Sequence, residues 1–218
     1  ANTNFIFNSA KPTGHAIIQV DSKGENAIII SGGANQDISE EDIDETLRFF
    51  SKSDWLLLQN EISKTDIIIE KAQEIGMNIC FNPAPFTPEI INYPLKYVDY
   101  FFLNETEMMA LGQGDNFSQS LVSLKKHYNN SAIIATQGSN GATYIDKENR
   151  IHVNAFKVTP VDTTAAGDTF IGYFLASFTE KNDIERALKI GSMAASIAVT
   201  RPGAATSIPK KEEVEKNI

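Results

Sequence analysis

Cysteine, positive charge and long apolar runs are all scarce in this sequence, and each shortage narrows what the chain can do. Its single cysteine, Cys80, excludes an internal disulfide framework and a cysteine-based zinc site. Within the apolar run from Met77 to Phe81 it reads as core filler rather than a nucleophile. Lysine and arginine number 19 against 28 aspartates and glutamates, a net charge of −9, so no basic stripe is available to displace counterions from a nucleic acid. No stretch of about 18 apolar residues and no signal peptide is seen, so no membrane partner is expected and a cytoplasmic setting is. The Walker A pattern, Gly-x-Gly-x-x-Gly, His-Glu-x-x-His and the nucleophile elbow are missing as well. The chain opens Ala1-Asn2-Thr3 without a methionine, which reads as processing or as part of a longer polypeptide.

What is present suits a large α/β domain: 42% apolar and 22% charged residues over 218 positions are enough for a substantial core. Residues 15–20 and 26–31, joined by Asp21-Ser22-Lys23-Gly24-Glu25, predict a β-hairpin. Ser39 with Asp42 predicts a capping box, followed by Ile43, Leu47 and Phe50 at helical spacing. The acidic cluster Glu40, Glu41, Asp42, Asp44 and Glu45 then reads as a solvated helix face rather than a metal site. Strands over 55–59, 77–81, 100–103 and 132–136 alternate with helices over 63–75, after Asn104 and over about 118–128. A short helix opens at Thr87-Pro88, a second hairpin turns at 146–150, and helices over about 167–179 and 183–199 finish the core. Such alternation predicts a parallel sheet covered by helices, with ligands bound beyond the strand ends, where Glu61, Asn82, Asn104 and Gly138 fall.

The densest chemistry lies in Val161-Asp162-Thr163-Thr164-Ala165-Ala166-Gly167-Asp168-Thr169-Phe170. Small residues let the backbone approach a ligand, and the apolar pattern after Asp168 announces a helix whose N-terminus suits phosphate. Asp168 reads either as a helix cap or as the proton acceptor of a phosphoryl transfer. Three other strand ends carry polar motifs with equally local alternatives. Asn104 with Glu107 makes either a capping box or a ligand contact; Thr136 to Gly141 is either a plain turn or a ligand loop; Asn82-Pro83 is either a rigid strand exit or part of the site.

Asn82-Pro83-Ala84-Pro85, Asn104-Glu105-Thr106-Glu107, Thr136-x-Gly138-x-x-Gly141, the loop from Asp162 to Phe170 and Ala198-Val199-Thr200-Arg201-x-Gly203-Ala204 occur in this order. Together they resemble the ribokinase family of carbohydrate kinases, over almost the whole chain. The resemblance implies a Rossmann-like α/β sandwich with a small β-hairpin lid, and an activity that uses ATP, Mg²⁺ and K⁺ to phosphorylate a sugar, D-ribose first. It implies that Asp168 is the general base and that the N–H groups of Ala165, Ala166 and Gly167 form the anion hole. Glu61 matches a sugar contact; Asn104, Thr136, Gln137, Gly138, Ser139, Asn140, Gly141, Gly167 and Ser192 match nucleotide positions. Glu107 matches an acidic residue that holds Mg²⁺ through water. Asp162, Thr164, Ala198, Arg201, Gly203 and Ser207 match the positions around a monovalent cation.

The family carries a first strand with a sugar-binding Asp and a Gly-Gly-x-Gly-x-Asn loop that this sequence does not contain; Gly32-Gly33-Ala34-Asn35 follows the hairpin instead. The chain therefore reads as such a kinase without roughly its N-terminal third, including the N-terminal strands. A lid-like segment over 13–35 would precede a nucleotide-binding and catalytic core over 36–218. The truncated chain would keep the nucleotide half of the site, lose much of the sugar pocket and so lack activity by itself, and the hairpin would pair with a second copy in a homodimer. A kinase for another sugar or a nucleoside, and a non-catalytic nucleotide-binding module, stand as alternatives.

Overall fold

The computed structural model describes residues 3–20 and 26–218. The chain forms two compact units, one running to Val98 and the other from Asp99 to Ile218. Among the described residues no helix is long and apolar enough to cross a membrane.

In the first unit, β1 (His15–Val20) and β2 (Asn26–Ser31) pair antiparallel with His15 opposite Ser31 and Ile17 opposite Ile29. The two runs form the predicted hairpin; its turn, Asp21 to Glu25, lies outside the described residues. Helix α1 (Glu40–Leu47) starts at the predicted capping box: Ser39 Oγ accepts from the Asp42 N–H at 3.0 Å, and Asp42 Oδ2 accepts from the Ser39 N–H at 2.9 Å. Ile43 and Leu47 are buried as the spacing predicts. Phe50 is not part of that stripe, because the helix ends at Leu47; its ring is 36% exposed and meets Phe5 at 5.7 Å. Strands β3 (Trp55–Gln59) and β4 (Asn78–Asn82) run parallel around α2 (Thr65–Ile75), which Gly76 closes at φ 81°. Ile68, Ile69 and Ala72 of α2 and Ile79, Cys80 and Phe81 of β4 are buried core, so Cys80 is filler as expected.

In the second unit, β5 (Tyr100–Asn104) and β6 (Ala132–Thr136) run parallel around α3 (Glu105–Gly112) and α4 (Phe117–His127). Phe101, Phe102, Leu103, Ile133, Ile134 and Ala135 are all buried, the continuous apolar run of strands covered on both faces. Strands β7 (Ala142–Ile145) and β8 (Arg150–Val153) add antiparallel, making the sheet mixed. Helices α5 (Ala166–Lys181) and α6 (Ile184–Ala198) pack tightly, and α7 (Lys211–Glu215) follows. Two features hold α5 in place. Phe174, fully buried, packs edge-on against Phe102 at 5.5 Å. Gly191 of α6 comes so close that a Cβ there would lie 3.0 Å from the Phe170 ring.

Candidate active site

The N-terminus of α5 is where sequence and structure give the most chemistry. Ala165, the residue before the helix, has φ 59° and ψ 12°, a left-handed conformation that costs an L-residue with a Cβ about 1–2 kcal/mol. The N-cap residue, Ala165, makes no side-chain capping bond. Asp168 is the third residue of the helix and exposed, so the alternative that it is the N-cap is not realised. The Thr169 N–H opens the helical ladder by donating to the Ala165 carbonyl at 2.9 Å, and the Ala166 N–H makes a long 3.3 Å bond to Thr163. The first N–H groups of a helix have no helical acceptor and sit at its positive dipole end. Gly167 is exposed, and a Cβ added there would meet nothing within 4 Å, so no packing constraint explains the glycine. Its small size keeps space open above those N–H groups.

Asp162, three residues before Ala165, ties the loop to the turn after α6. Its Oδ1 accepts from the Thr164 N–H and its Oδ2 from the Gly203 N–H, both at 2.9 Å. Hydrogen bonding from Thr164, then from Gly203, holds its carboxyl below the usual carboxylate range. The same turn folds on itself: the Arg201 N–H donates to the Ala198 carbonyl, and Ser207, fully buried, donates from Oγ to the Ala204 carbonyl at 2.7 Å. Gly203 has φ 96°, where a Cβ would lie 2.6 Å from Thr206 Oγ1. The Arg201 guanidinium pairs with Glu213 of α7. Asp162, Thr164 and Gly203 are thus joined by hydrogen bonds, and Ala198, Arg201 and Ser207 belong to the same turn, whose carboxylate, carbonyl and hydroxyl groups supply oxygens. That hard-oxygen donor set suits an alkali cation.

A cavity of about 470 Å³ opens between the helix start, the Thr136 to Gly141 turn and α6. Its walls include Thr136, Gly138, Ser139 and Gly141, Gly167 of α5, and Ser192 of α6. The turn is built for this position. Gly138 has φ 50° and open space where a Cβ would be, whereas Gly141 has φ 94° and a Cβ would lie 2.0 Å from the Val153 carbonyl. Gln137 closes the turn by donating from N–H to the Gly141 carbonyl at 2.8 Å. Asn104, Gln137 and Asn140 do not line the cavity, although Asn104 lies beside Thr136 in the β5–β6 register. Phe156, Lys157, Val158 and Ser196 line it and were not singled out from the sequence, while Thr163 and Val199 were quoted within motifs but given no role. Only Ser196 and Val199 carried a usable signal, since with Ser192 they fall at helical spacing on one face of α6.

Asn104 and Glu107 form the capping box of α3. Asn104 Oδ1 accepts from the Glu107 N–H at 2.8 Å, and Glu107 Oε2 accepts from the Asn104 N–H at 2.9 Å. Glu107 Oε1 accepts from Asn104 Nδ2 at 2.9 Å, and the carboxylate is buried. Capping does not by itself exclude a ligand contact, because a carboxylate offers about four lone pairs. Among the described residues no group of three or more His, Cys, Asp or Glu could hold a metal ion.

In the first unit, Glu61 follows β3 in an exposed turn, and its carbonyl accepts from Gln36 Nε2 at 3.0 Å. The exits of β3 and β4 are locked together nearby. Gln59 Nε2 donates to Asn82 Oδ1, Asn60 Nδ2 donates to the Pro85 carbonyl, and the Tyr93 hydroxyl donates to Asn60 Oδ1, at 2.9, 2.9 and 2.8 Å. Asn82 is therefore more than a rigid strand exit, since its amide holds the two strand ends in register.

An uncapped helix N-terminus with a carboxylate one residue from an open glycine, facing a cavity of nucleotide size, defines a phosphoryl-transfer protein of the α/β class. The comparisons agree: the model of the pfkB family carbohydrate kinases matches residues 2–211, and the chain belongs to that family. Among its curated relatives, the deoxyribokinase of Salmonella typhi is 35% identical over 94% of this chain and 69% of that protein. Ribokinase from Thermotoga maritima superposes with a TM-score of 0.85 at 39% identity, covering 95% of this chain and 70% of that one. The structure of Arabidopsis thaliana ribokinase complexed with ribose and ATP gives 0.81 at 30%, covering 95% and 69%.

Proposed function

We propose that this chain carries the catalytic elements of an ATP-dependent sugar kinase that phosphorylates D-ribose to D-ribose 5-phosphate. The observation that carries the reading is Gly167, which fronts open space on the wall of the cavity, at a helix N-terminus and next to Asp168. Similarity to ribokinases at 39% and 30% identity, one of them bound to ribose and ATP, supports the substrate pair. In this reading Asp168 takes the proton of the attacking sugar hydroxyl as its oxygen bonds to the γ-phosphorus and the bond to the β-phosphate oxygen breaks. The N–H groups of Ala165, Ala166 and Gly167 meet the charge on the transferring group, and their fixed orientation is the main catalytic asset. Asn104, the Thr136 to Gly141 turn and Ser192 hold the nucleotide, and Glu61 contacts the sugar.

Mg²⁺ when bound would neutralise phosphate charge, with Glu107 holding it through water. K⁺ would be held by Asp162, Thr164, Ala198, Arg201, Gly203 and Ser207, and its charge would steady the anion-binding loop. The hairpin segment 13–35 acts as lid to the core over 36–218. It also serves as a dimer contact, a role supported by Ile17, Ile29 and Ile30, each more than half exposed. The cytoplasm, where ATP is abundant, is the natural setting.

Similarity to a deoxyribokinase favours one second reading, a 2-deoxyribose kinase. A panel of ribose, 2-deoxyribose, fructose and nucleosides with the full-length protein, followed by ADP release and mass spectrometry of the product, separates the readings. Ribose used best supports the proposal, and 2-deoxyribose used best supports the second reading. Nucleotide binding without phosphorylation of any acceptor would mark a non-catalytic module.

A further inference from the structure

Resting on the reading of the 470 Å³ cavity as a nucleotide site, we propose that it accepts adenine and guanine nucleotides almost equally, and that Ser192 is the residue responsible. The lining contains no Asn, Gln, Asp, Glu, His or Arg side chain; its one charged residue, Lys157, is exposed. The α6 face contributes Ser192, Ala195, Ser196 and Val199, and the opposite wall contributes Ala155, Phe156 and Val158. Two hydroxyls lie on that helical face, and only one is uncommitted. Ser196 Oγ donates to the Met193 carbonyl at 2.7 Å, whereas Ser192 Oγ makes no hydrogen bond to any described residue.

Adenine and guanine differ in the sense of their hydrogen-bonding edges, one presenting an amine and a ring acceptor where the other presents a carbonyl and a ring N–H. A fixed amide or ring donor matches one edge and leaves the other unpaired. A hydroxyl rotates and both donates and accepts, so Ser192 satisfies either edge without strain. The other lining side chains are apolar or carry hydroxyls, at Thr136, Ser139 and Thr163, apart from the exposed Lys157, and none presents an amide, carboxylate, imidazole or guanidinium. A site whose lining side chains include no amide, carboxylate, imidazole or guanidinium has little with which to reject the wrong base, in contrast to sites that discriminate by 10⁴ to 10⁵ through committed hydrogen bonds.

The test is calorimetric titration of this chain with ATP, GTP and CTP in the presence of Mg²⁺, repeated with Ser192→Ala and Ser192→Asn. We expect ATP and GTP dissociation constants within about tenfold of each other and CTP weaker than both. Ser192→Ala should weaken both purines by a similar factor, about two- to tenfold. Ser192→Asn should split them by at least about tenfold, because its amide is held in one orientation. A wild-type preference of more than about tenfold for either purine overturns the proposal, as does a Ser192→Ala effect on one purine alone or an unsplit pair in Ser192→Asn. The reading beneath it fails separately. CTP binding as tightly as the purines, or no nucleotide binding by a folded chain, would show that the cavity does not seat a purine and would remove the proposal with it.

Discussion

Replacing Gly167 by alanine should separate stability from function in one substitution. The added Cβ meets no atom within 4 Å, and Gly167 does not have a positive φ, so folding pays neither a clash nor a backbone penalty. Alanine in a helix is favoured over glycine by roughly 0.5–1 kcal/mol, and near a helix end the gain tends to the lower figure. At about 2–4 °C per kcal/mol for a chain of this size, Gly167→Ala should raise Tm by about 1–4 °C or leave it unchanged. The methyl group projects, however, into the space that the phosphoryl group needs, beside the N–H donors of α5. Loss of one such donor typically costs 10²–10³ in rate, so turnover should fall by about 10²-fold at an undiminished Tm. Scanning calorimetry and a coupled ADP assay on the same preparation measure both. A Tm lowered by several degrees would refute the reading of open space, and wild-type turnover would refute the reading of Gly167 as the approach to an anion.

Gly141→Ala is the opposite case: φ 94° and a Cβ 2.0 Å from the Val153 carbonyl should cost at least about 1–3 kcal/mol in urea unfolding, and an unchanged midpoint would contradict it. Asp162 makes a pH prediction. Its folded carboxyl lies below its unfolded value near 4, so its contribution to stability is complete above that value and is lost as pH falls through the folded one. The Tm difference between wild type and Asp162→Asn should therefore be constant from pH 7 to about 5 and shrink in stronger acid. A difference that widens on acidification would show that the hydrogen bonds from Thr164 and Gly203 do not favour the ionised form.

What was legible in the sequence was local. The hairpin β1–β2 follows from two apolar runs joined by a turn-rich connection of hairpin length, and the starts of α1 and α3 follow from Ser39 with Asp42 and Asn104 with Glu107, pairs that satisfy each other within one turn. The start of α5 was less legible, because Asp168 looks like a capping residue while the chain enters the helix through a strained Ala165 and leaves that end uncapped. Asp162 was legible as a candidate oxygen ligand by resemblance, but its bond to Gly203, 41 residues away, is a product of the fold. The cavity wall from Ala155 to Val158 carries no periodicity and no motif, so its role emerges only when the end of β8 folds back over the Thr136 to Gly141 turn. Helix α1 shows the limit of counting by spacing, since Phe50 continued the period after the helix itself had ended.

The central claim is that Asp168 serves as proton acceptor in phosphoryl transfer from ATP to ribose. It is tested most directly by comparing the full-length enzyme with its Asp168→Asn variant in two measurements, ATP affinity by calorimetry and ribose 5-phosphate formation by mass spectrometry. The account predicts ATP affinity within about threefold of wild type and turnover lower by at least about 10²-fold, the usual worth of a general base. Near-normal formation of ribose 5-phosphate by the Asn variant would contradict it.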